Sequence, residues 1–355
     1  MKPKIVEMES TKVLIHESPG FAKKKLADYH IELLGLCQFG CAYCSSNSGN
    51  YLRINREKFA KETEDQLGER VLPAEDPALM FFWPKAIETL ERQLAGKEKR
   101  WGAGKTLVFS QLTDGFSPKL VAEGITRRAL DLLLEKTSFR IRILTKNAVV
   151  GGPAWTSYFA EHKGRFIVGL SIGTINNEWA RRIEVGTSAP TARLQAHQAL
   201  QAAGVPTYGM LCPVFPDAMA ADRLEKLLDA IQPTQCETVW AEPYNDRDNW
   251  QAVRAGYEGL SDAGWAFMTQ VYHDGERGVW SRYATDLYLE IRSRAARDGW
   301  LDRFIYLLYE NDRSGDLIMA DDAALMKDGA GILLQSAPGD DGKTKTIALR
   351  TIDQR

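Results

Sequence analysis

Cysteine, histidine and net charge are all scarce in this chain. Its five cysteines, Cys37, Cys41, Cys44, Cys212 and Cys236, are odd in number, and three stand together. That pattern excludes a disulfide framework and points to a metal or cluster site. Forty-five Lys and Arg face 47 Asp and Glu, a net charge of −2. This balance excludes a globally basic nucleic-acid coat and an acidic tail protein. No apolar run approaches the ~18 residues needed to span a bilayer. Met1 to Glu9 is charged and lacks an apolar signal core, so a cytoplasmic protein with no membrane partner is expected. Internal repeats and low-complexity segments are also missing. What remains is an ordinary globular composition, with a hydrophobic fraction of 44%, enough for a large core.

Apolar segments alternate with amphipathic ones along the chain. Ile31 to Leu34, Thr106 to Ser110, Arg140 to Thr145, Phe166 to Ile172, Val205 to Leu211 and Glu237 to Ala241 read as strands. Pro84 to Leu94, Ile125 to Glu135, Trp155 to His162, Pro190 to Ala203 and Ala220 to Ile231 read as the helices between them. Six βα units imply a parallel sheet covered by helices, two units short of a closed eight-fold barrel. The expected class is therefore α/β, a partial (β/α)6 TIM-type barrel with a helical C-terminal extension. The expected organisation is an N-terminal extension at 1–28, the barrel at 29–248 with a solvated insertion at 51–82, a helical region at 249–312 and a tail at 313–355. Within the tail, Gly331 to Leu334 is a short strand candidate.

Cys37, Cys41 and Cys44 directly follow the first strand, with spacing C-x3-C-x2-C. Three thiolates on so short an arc suit three irons of a 4Fe-4S cubane and leave the fourth iron open to an outside amino and carboxylate group. Gly35 and Gly40 allow the sharp backbone path. The alternatives are a zinc site or three structural thiols, although zinc ordinarily takes a fourth Cys or His and none follows within the loop. The loop falls at the C-terminal end of a strand, where barrel active sites are built.

On this loop, with Tyr43 before the last cysteine and the βα pattern behind it, the chain resembles the radical S-adenosylmethionine superfamily. Within it the sequence is similar to the spore photoproduct lyase-related branch. The segments carrying that resemblance are Ser110-Gln111-Leu112-Thr113-Asp114, Ile125 to Leu130, Leu144-Thr145-Lys146, Gly169 to Ile172, Ile183-Glu184-Val185-Gly186 and Glu242-Pro243-Tyr244-Asn245. The resemblance implies a 4Fe-4S cluster at Cys37, Cys41 and Cys44, and S-adenosylmethionine cleaved by one electron to a 5′-deoxyadenosyl radical that abstracts hydrogen from substrate. It implies an external electron donor of the flavodoxin or ferredoxin type. It assigns the cofactor carboxylate to Lys146 and Ser171, the amino group to Thr113 and the adenine to Tyr43. The ordinary alternatives are a solvated lysine and helix-capping hydroxyls. Two departures stand out. Gln111 occupies the place of the lyase's hydrogen-returning cysteine, and Ser45 that of a tyrosine. The implied chemistry is therefore that of the cluster rather than the repair reaction itself.

Cys212 ends the fifth strand and is a candidate hydrogen donor, with a buried core thiol as the alternative. Asp114, Glu242 and Asn245 are candidate substrate or cofactor contacts; helix capping and turn formation are their structural readings. A lyase-like reaction on nucleic acid would use basic groups such as Lys23 to Lys25, Arg127, Arg128, Arg181 and Arg182. Trp83, Trp101, Trp250 and Trp280, if exposed, would stack on bases. Two other readings stand beside the radical enzyme: a non-catalytic zinc-binding or regulatory module, and a cluster protein serving as sensor or electron carrier.

Overall fold

The computed structural model describes residues 2–47, 50–246, 248–310, 331–338 and 344–351. For Asn50, Arg277, 308–310 and the last two segments only the backbone is described. Parallel strands alternate with helices in an α/β architecture, and the chain forms two compact units. The first comprises Met1–Leu170, Ala180–Pro206 and Arg247–Asn249. The second comprises Ser171–Trp179, Thr207–Asp246 and Trp250–Arg355.

The first unit runs β1 (Lys4–Glu7), β2 (Ile15–Glu17), α1 (Pro19–Lys23), β3 (Tyr29–Ile31), β4 (Leu34–Leu36), α2 (Asn50–Leu67), β5 (Leu79–Phe82), α3 (Ala86–Ala95), β6 (Thr106–Phe109), α4 (Pro118–Ala122), α5 (Ile125–Lys136), β7 (Arg140–Thr145), α6 (Pro153–Glu161) and β8 (Phe166–Leu170). Helices α7 (Asn177–Ile183) and α8 (Pro190–Ala202) follow. Strands β3, β6, β7 and β8 pair in parallel, with β2 antiparallel on the edge of β3. The parallel strands are almost wholly apolar because both faces are covered. Val108 and Phe109 on β6 are fully buried, as are Ile141 and Ile143 on β7 and Val168 on β8. Helix α5 turns Ala129, Leu130, Leu132 and Leu133 inward, as its sequence period requires.

The single strand expected at Ile31 to Leu34 is in fact two. β3 belongs to the parallel sheet, whereas β4 joins a second sheet of order β1-β5-β4. The break falls at Glu32 and Leu33, where the chain leaves the first sheet. The insertion is not merely solvated either. Helix α2 buries Leu52, Phe59, Ala60 and Thr63, and β5 is buried throughout.

The second unit contains β9 (Thr207–Val214), α9 (Arg223–Ile231), β10 (Cys236–Pro243), α10 (Trp250–Ala255), α11 (Asp262–Met268), α12 (Arg277–Arg297), β11 (Phe304–Glu310), β12 (Gly331–Pro338) and β13 (Thr344–Thr351). Strands β9 to β12 are parallel neighbours in that order and β13 closes antiparallel on β12. The runs β3-β6-β7-β8 and β9-β10-β11-β12 thus carry four parallel strands each, against six expected in all, and β1 pairs β5 in parallel besides. The surplus comes from β11, which lies in the region read as helical, and from β12, which contains Gly331 to Leu334. The expected tail otherwise falls largely outside the described residues. Trp83 and Trp280 are buried core residues, at 6% and 1% exposure, so neither offers a face to a base. Their rings bury more apolar area than a surface position would return. Among the described residues no helix is long and apolar enough to cross a membrane.

Close packing between the turn at Ala148–Gly151 and α8 gives a direct test. A Cβ added at Gly151 would stand 2.4 Å from Ala196 Cα. Gly151→Ala should therefore destabilise the protein by about 1–3 kcal/mol through overpacking. Gly164→Ala, where nothing lies within 4 Å of the new Cβ, should leave thermal unfolding nearly unchanged. Equal melting temperatures for the two variants would contradict this packing.

Candidate functional site

The cysteine loop leaves β4 and folds against residues 183–186. Ala42 N–H donates to Ile183 O at 2.7 Å, Gly186 N–H donates to Phe39 O at 3.0 Å, and Cys41 forms an isolated antiparallel bridge with Glu184. Cys44 N–H closes a turn on Cys41 O at 3.0 Å, and Asn47 Nδ2 donates to the same carbonyl at 3.0 Å. Gly40 has φ +54°, and a Cβ there would lie 2.4 Å from Pro77 O. Only glycine fits that position without displacing backbone. Gln38 points the other way, and its Oε1 accepts from Lys119 N–H at 3.2 Å at the start of α4.

Beneath the loop lies a buried ion pair. Arg193 on α8 binds Glu184 through Nη2 and Oε2, with side-chain exposures of 1% and 5%. The Tyr43 hydroxyl donates to the other Glu184 oxygen. Glu184 therefore ties α8 to the residue immediately before Cys44. Two charges taken from water to this depth persist because each has close partners. Tyr43 is also 5.5 Å, ring centroid to Nζ, from the Lys146 ammonium. Burial and the nearby Glu184 carboxylate hold the Tyr43 phenol neutral, well above its ordinary pKa.

Two further carboxylates organise the strand ends. Glu32 accepts from Gln111 N–H at 2.6 Å, Leu112 N–H at 2.7 Å and the Thr113 hydroxyl. Ser110 makes this convergence work. Its φ of +69° turns the chain so that successive amides face one acceptor. Burial raises the Glu32 pKa, and these donors oppose the rise. Asp114 accepts from Phe116 N–H at 2.9 Å, Thr145 Oγ1 at 2.9 Å and Lys146 N–H at 2.8 Å. It therefore joins the end of β6 to the end of β7 and fixes the Lys146 backbone. Burial pushes the Asp114 carboxyl up to about 6, against those hydrogen bonds.

The three cysteines are free thiols. Each is within electrostatic reach of another: Cys44 raises the pKa of Cys37, and both raise that of Cys41. Burial is the largest cause in each case, and the Lys146 ammonium acts in the opposite direction on both. Without added positive charge the Cys37 and Cys41 thiols stay protonated, and a bound metal centre would supply that charge. Among the described residues no three His, Cys, Asp or Glu side chains converge on a single ion. A cubane makes no such demand, because each sulfur ligates a different iron. Free, adjacent thiols on a braced loop beside a cation fit a cluster with three protein ligands.

Cys37, Cys41, Tyr43, Cys44, Thr113, Asp114 and Lys146 thus all lie in the first unit. Thr113 donates its proton to Glu32, which leaves the oxygen lone pairs as acceptors. Ser171, Cys212, Glu242 and Asn245 lie in the second unit. There Ser171 Oγ donates to Cys212 O at 3.1 Å. Cys212 is half-buried on β9, Glu242 half-buried on β10, and Asn245 buried just beyond it. Sequence reasoning assigned no role to Glu32, Glu184 or Arg193. A lone Glu beside an apolar run was the available signal for Glu32, and Glu184 sat within a resembling segment.

No protein-family profile matches the chain, and no curated protein is significantly similar to it. Among solved structures it is similar to spore photoproduct lyase complexed with dinucleoside spore photoproduct. That match has 16% identity and a TM-score of 0.44, over 73% of this chain and 68% of the other. It is also similar to anSMEcpe with bound AdoMet, at 13% identity and a TM-score of 0.43, over 76% of this chain and 59% of the other.

Two outcomes follow from the buried carboxylates. Glu184→Leu takes from the buried Arg193 guanidinium its carboxylate partner, and should cost roughly 3–5 kcal/mol of stability. The double variant Glu184→Leu/Arg193→Leu should recover part of that loss in urea unfolding, and a double variant as unstable as the single one would contradict the pairing. Asp114 binds its proton more tightly when folded, at about 6, than the ~3.9 of an unfolded Asp. Its contribution to stability is therefore fully present below about pH 4 and falls as pH rises through about 6. Asp217, also held up at about 6 by burial, has the same sign. Asp114→Asn should flatten the decline of the urea midpoint across that window, and an unchanged slope would refute the assignment.

Proposed function

We propose that this chain is a radical S-adenosylmethionine enzyme, with Cys37, Cys41 and Cys44 as ligands of a 4Fe-4S cluster. The observation that carries the reading is the set of three thiols outside any disulfide on one braced loop, with the Lys146 ammonium within electrostatic reach of Cys37 and Cys41. The C-x3-C-x2-C spacing agrees with it, as do Asp114 and Lys146 just beyond the ends of the parallel strands β6 and β7. A bound cluster would supply one electron, taken from a flavodoxin- or ferredoxin-type donor, to split the cofactor sulfonium into methionine and a 5′-deoxyadenosyl radical that removes hydrogen from substrate.

The protein's own contribution is placement. Lys146 offers an ammonium to a carboxylate, and its main chain is held by Asp114 on one side and by Ser188 N–H on the other, at 3.2 Å. Thr113, its proton committed to Glu32, presents lone pairs to an amino group. Tyr43 is held by Glu184 and offers a ring face. Of the three cysteines Cys41 is buried, and Cys37 and Cys44 are half-buried.

The test is anaerobic reconstitution of the full chain with iron and sulfide. It should take up about four irons per chain, and Cys37→Ala, Cys41→Ala or Cys44→Ala should each abolish that uptake. Reduction in the presence of S-adenosylmethionine should release 5′-deoxyadenosine. Lys146→Ala should keep the iron and weaken cofactor binding about tenfold, the loss of one charge-assisted contact. One zinc per chain with no iron would select the zinc-binding reading. A cluster that forms and cycles without cleaving the cofactor would select the electron carrier.

A further inference from the structure

Within the first unit, a cavity of about 150 Å³ lies between the β2–β3 pair, Gly35 on β4, α2 and Trp83. Two of its lining residues carry buried polar atoms, Trp83 Nε1 and His30 Nδ1, that have no hydrogen-bond partner among the described residues. Trp83 is 6% exposed, so its indole N–H is shut off from bulk water. That N–H lies at the Gly35 wall, because a Cβ on Gly35 would stand 3.3 Å from Nε1. An unmet donor at that depth costs about 1–3 kcal/mol unless something in the cavity accepts from it. His30 pairs in register with His16, and the rings stack at 5.5 Å with 24° between planes. His16 is spoken for, with Nε2 2.8 Å from Val13 O. Burial drives the His30 pKa down to about 4, so near neutral pH its ring is uncharged and offers one N–H and one lone pair.

The wall chemistry selects the ligand. An indole N–H is a donor only, so a cation gives it nothing to bind. The lining holds one carboxyl group, Glu32, and one ammonium, Lys58, so its charges balance and favour neither an anion nor a cation. A neutral group with both an acceptor and a donor answers both unmet atoms: its carbonyl takes the Trp83 N–H and its own N–H binds His30 Nδ1. A cavity of about 150 Å³ is of the size that admits one six-membered ring.

We propose that this cavity binds a small neutral lactam, a single ring carrying adjacent C=O and N–H groups held between Trp83 and His30. The site stands on its own geometry, whatever chemistry the cysteine loop performs. It is nevertheless continuous with that loop, since Tyr51, on its wall, donates to Gly35 O at 2.8 Å, two residues before Cys37.

The test uses the full chain, titrated with 2-piperidone and followed by calorimetry and by the indole N–H resonance of Trp83, identified as the signal missing from Trp83→Phe. The lactam should bind saturably and shift that resonance. N-Methyl-2-piperidone, which cannot donate to His30, should bind about tenfold more weakly, and Trp83→Phe should weaken 2-piperidone binding by a similar factor. Gly35→Ala, whose methyl enters the corner beside Nε1, should abolish binding. Should Trp83→Phe or Gly35→Ala fail to fold, calorimetry of the wild-type chain with the methylated and unmethylated rings decides alone. No saturable binding, or equal binding of the methylated and unmethylated rings, overturns the proposal. Binding to protein with and without reconstituted iron separates this result from the cluster reading, since loss of iron leaves Trp83 and His30 in place.

Discussion

Three buried carboxylates govern the geometry of the candidate site. A parallel sheet delivers its functional residues at strand ends, where the ladder stops and backbone amides lose their partners. In the first unit those amides are gathered by side chains. Glu32 takes two successive amides and a hydroxyl after β6, and Asp114 takes two amides and a hydroxyl across the ends of β6 and β7. Glu184 does the corresponding work for the cysteine loop through Tyr43 and the bridge to Cys41. Asp114 and Glu184 are buried and Glu32 is half-buried, and each is bound by donors close enough to offset part of the desolvation cost. The loops are thus fixed by charge-assisted contacts.

That arrangement explains what was legible in the sequence. Strands such as Arg140–Thr145 and helices such as Ile125–Lys136 could be read because Ile141 and Ile143, and Ala129, Leu132 and Leu133, are buried where their apolar period puts them. The cysteine spacing was equally plain, since a metal-ligand pattern is local in sequence. Glu184 and Arg193 were not, because their meaning lies in a pairing across α8 that no spacing rule encodes. Glu32 was hidden for a related reason. It reads as one polar residue in a strand, whereas it ends that strand by turning its carboxylate toward a loop some eighty positions away.

The strand at Phe304–Glu310 shows a different limit. Phe304 to Tyr309 is a continuous apolar run directly after the long helix α12, and periodicity cannot separate a fully buried strand from a buried helical segment. The usable signal was Gly299, with φ +75°, which marks the helix end. Trp83 and Trp280 failed as candidate base-stacking residues by the converse error. Their indole rings stabilise the interior, and Trp280 satisfies its N–H on Tyr244 O at 2.8 Å. Trp83 has no such acceptor. The contrast between these two buried indoles separates an ordinary core residue from one whose polar edge faces a cavity.

Electrostatics bears on how the loop could serve a metal centre. The same burial that raises the Cys37 and Cys41 pKa values makes the empty loop a poor thiolate donor in neutral water. Lys146 lowers that barrier from outside the loop, and iron would lower it further from within. Loading is therefore coupled to proton release, and it is favoured only where the loop is already held in shape. A brace made of Glu184, Arg193 and Tyr43 meets that condition without adding a fourth ligand. A fourth protein ligand would close the open iron position and leave an electron carrier. The distinction between carrier and catalyst rests on what stands opposite the three thiols, and in this unit the described residues place the ammonium of Lys146 near them.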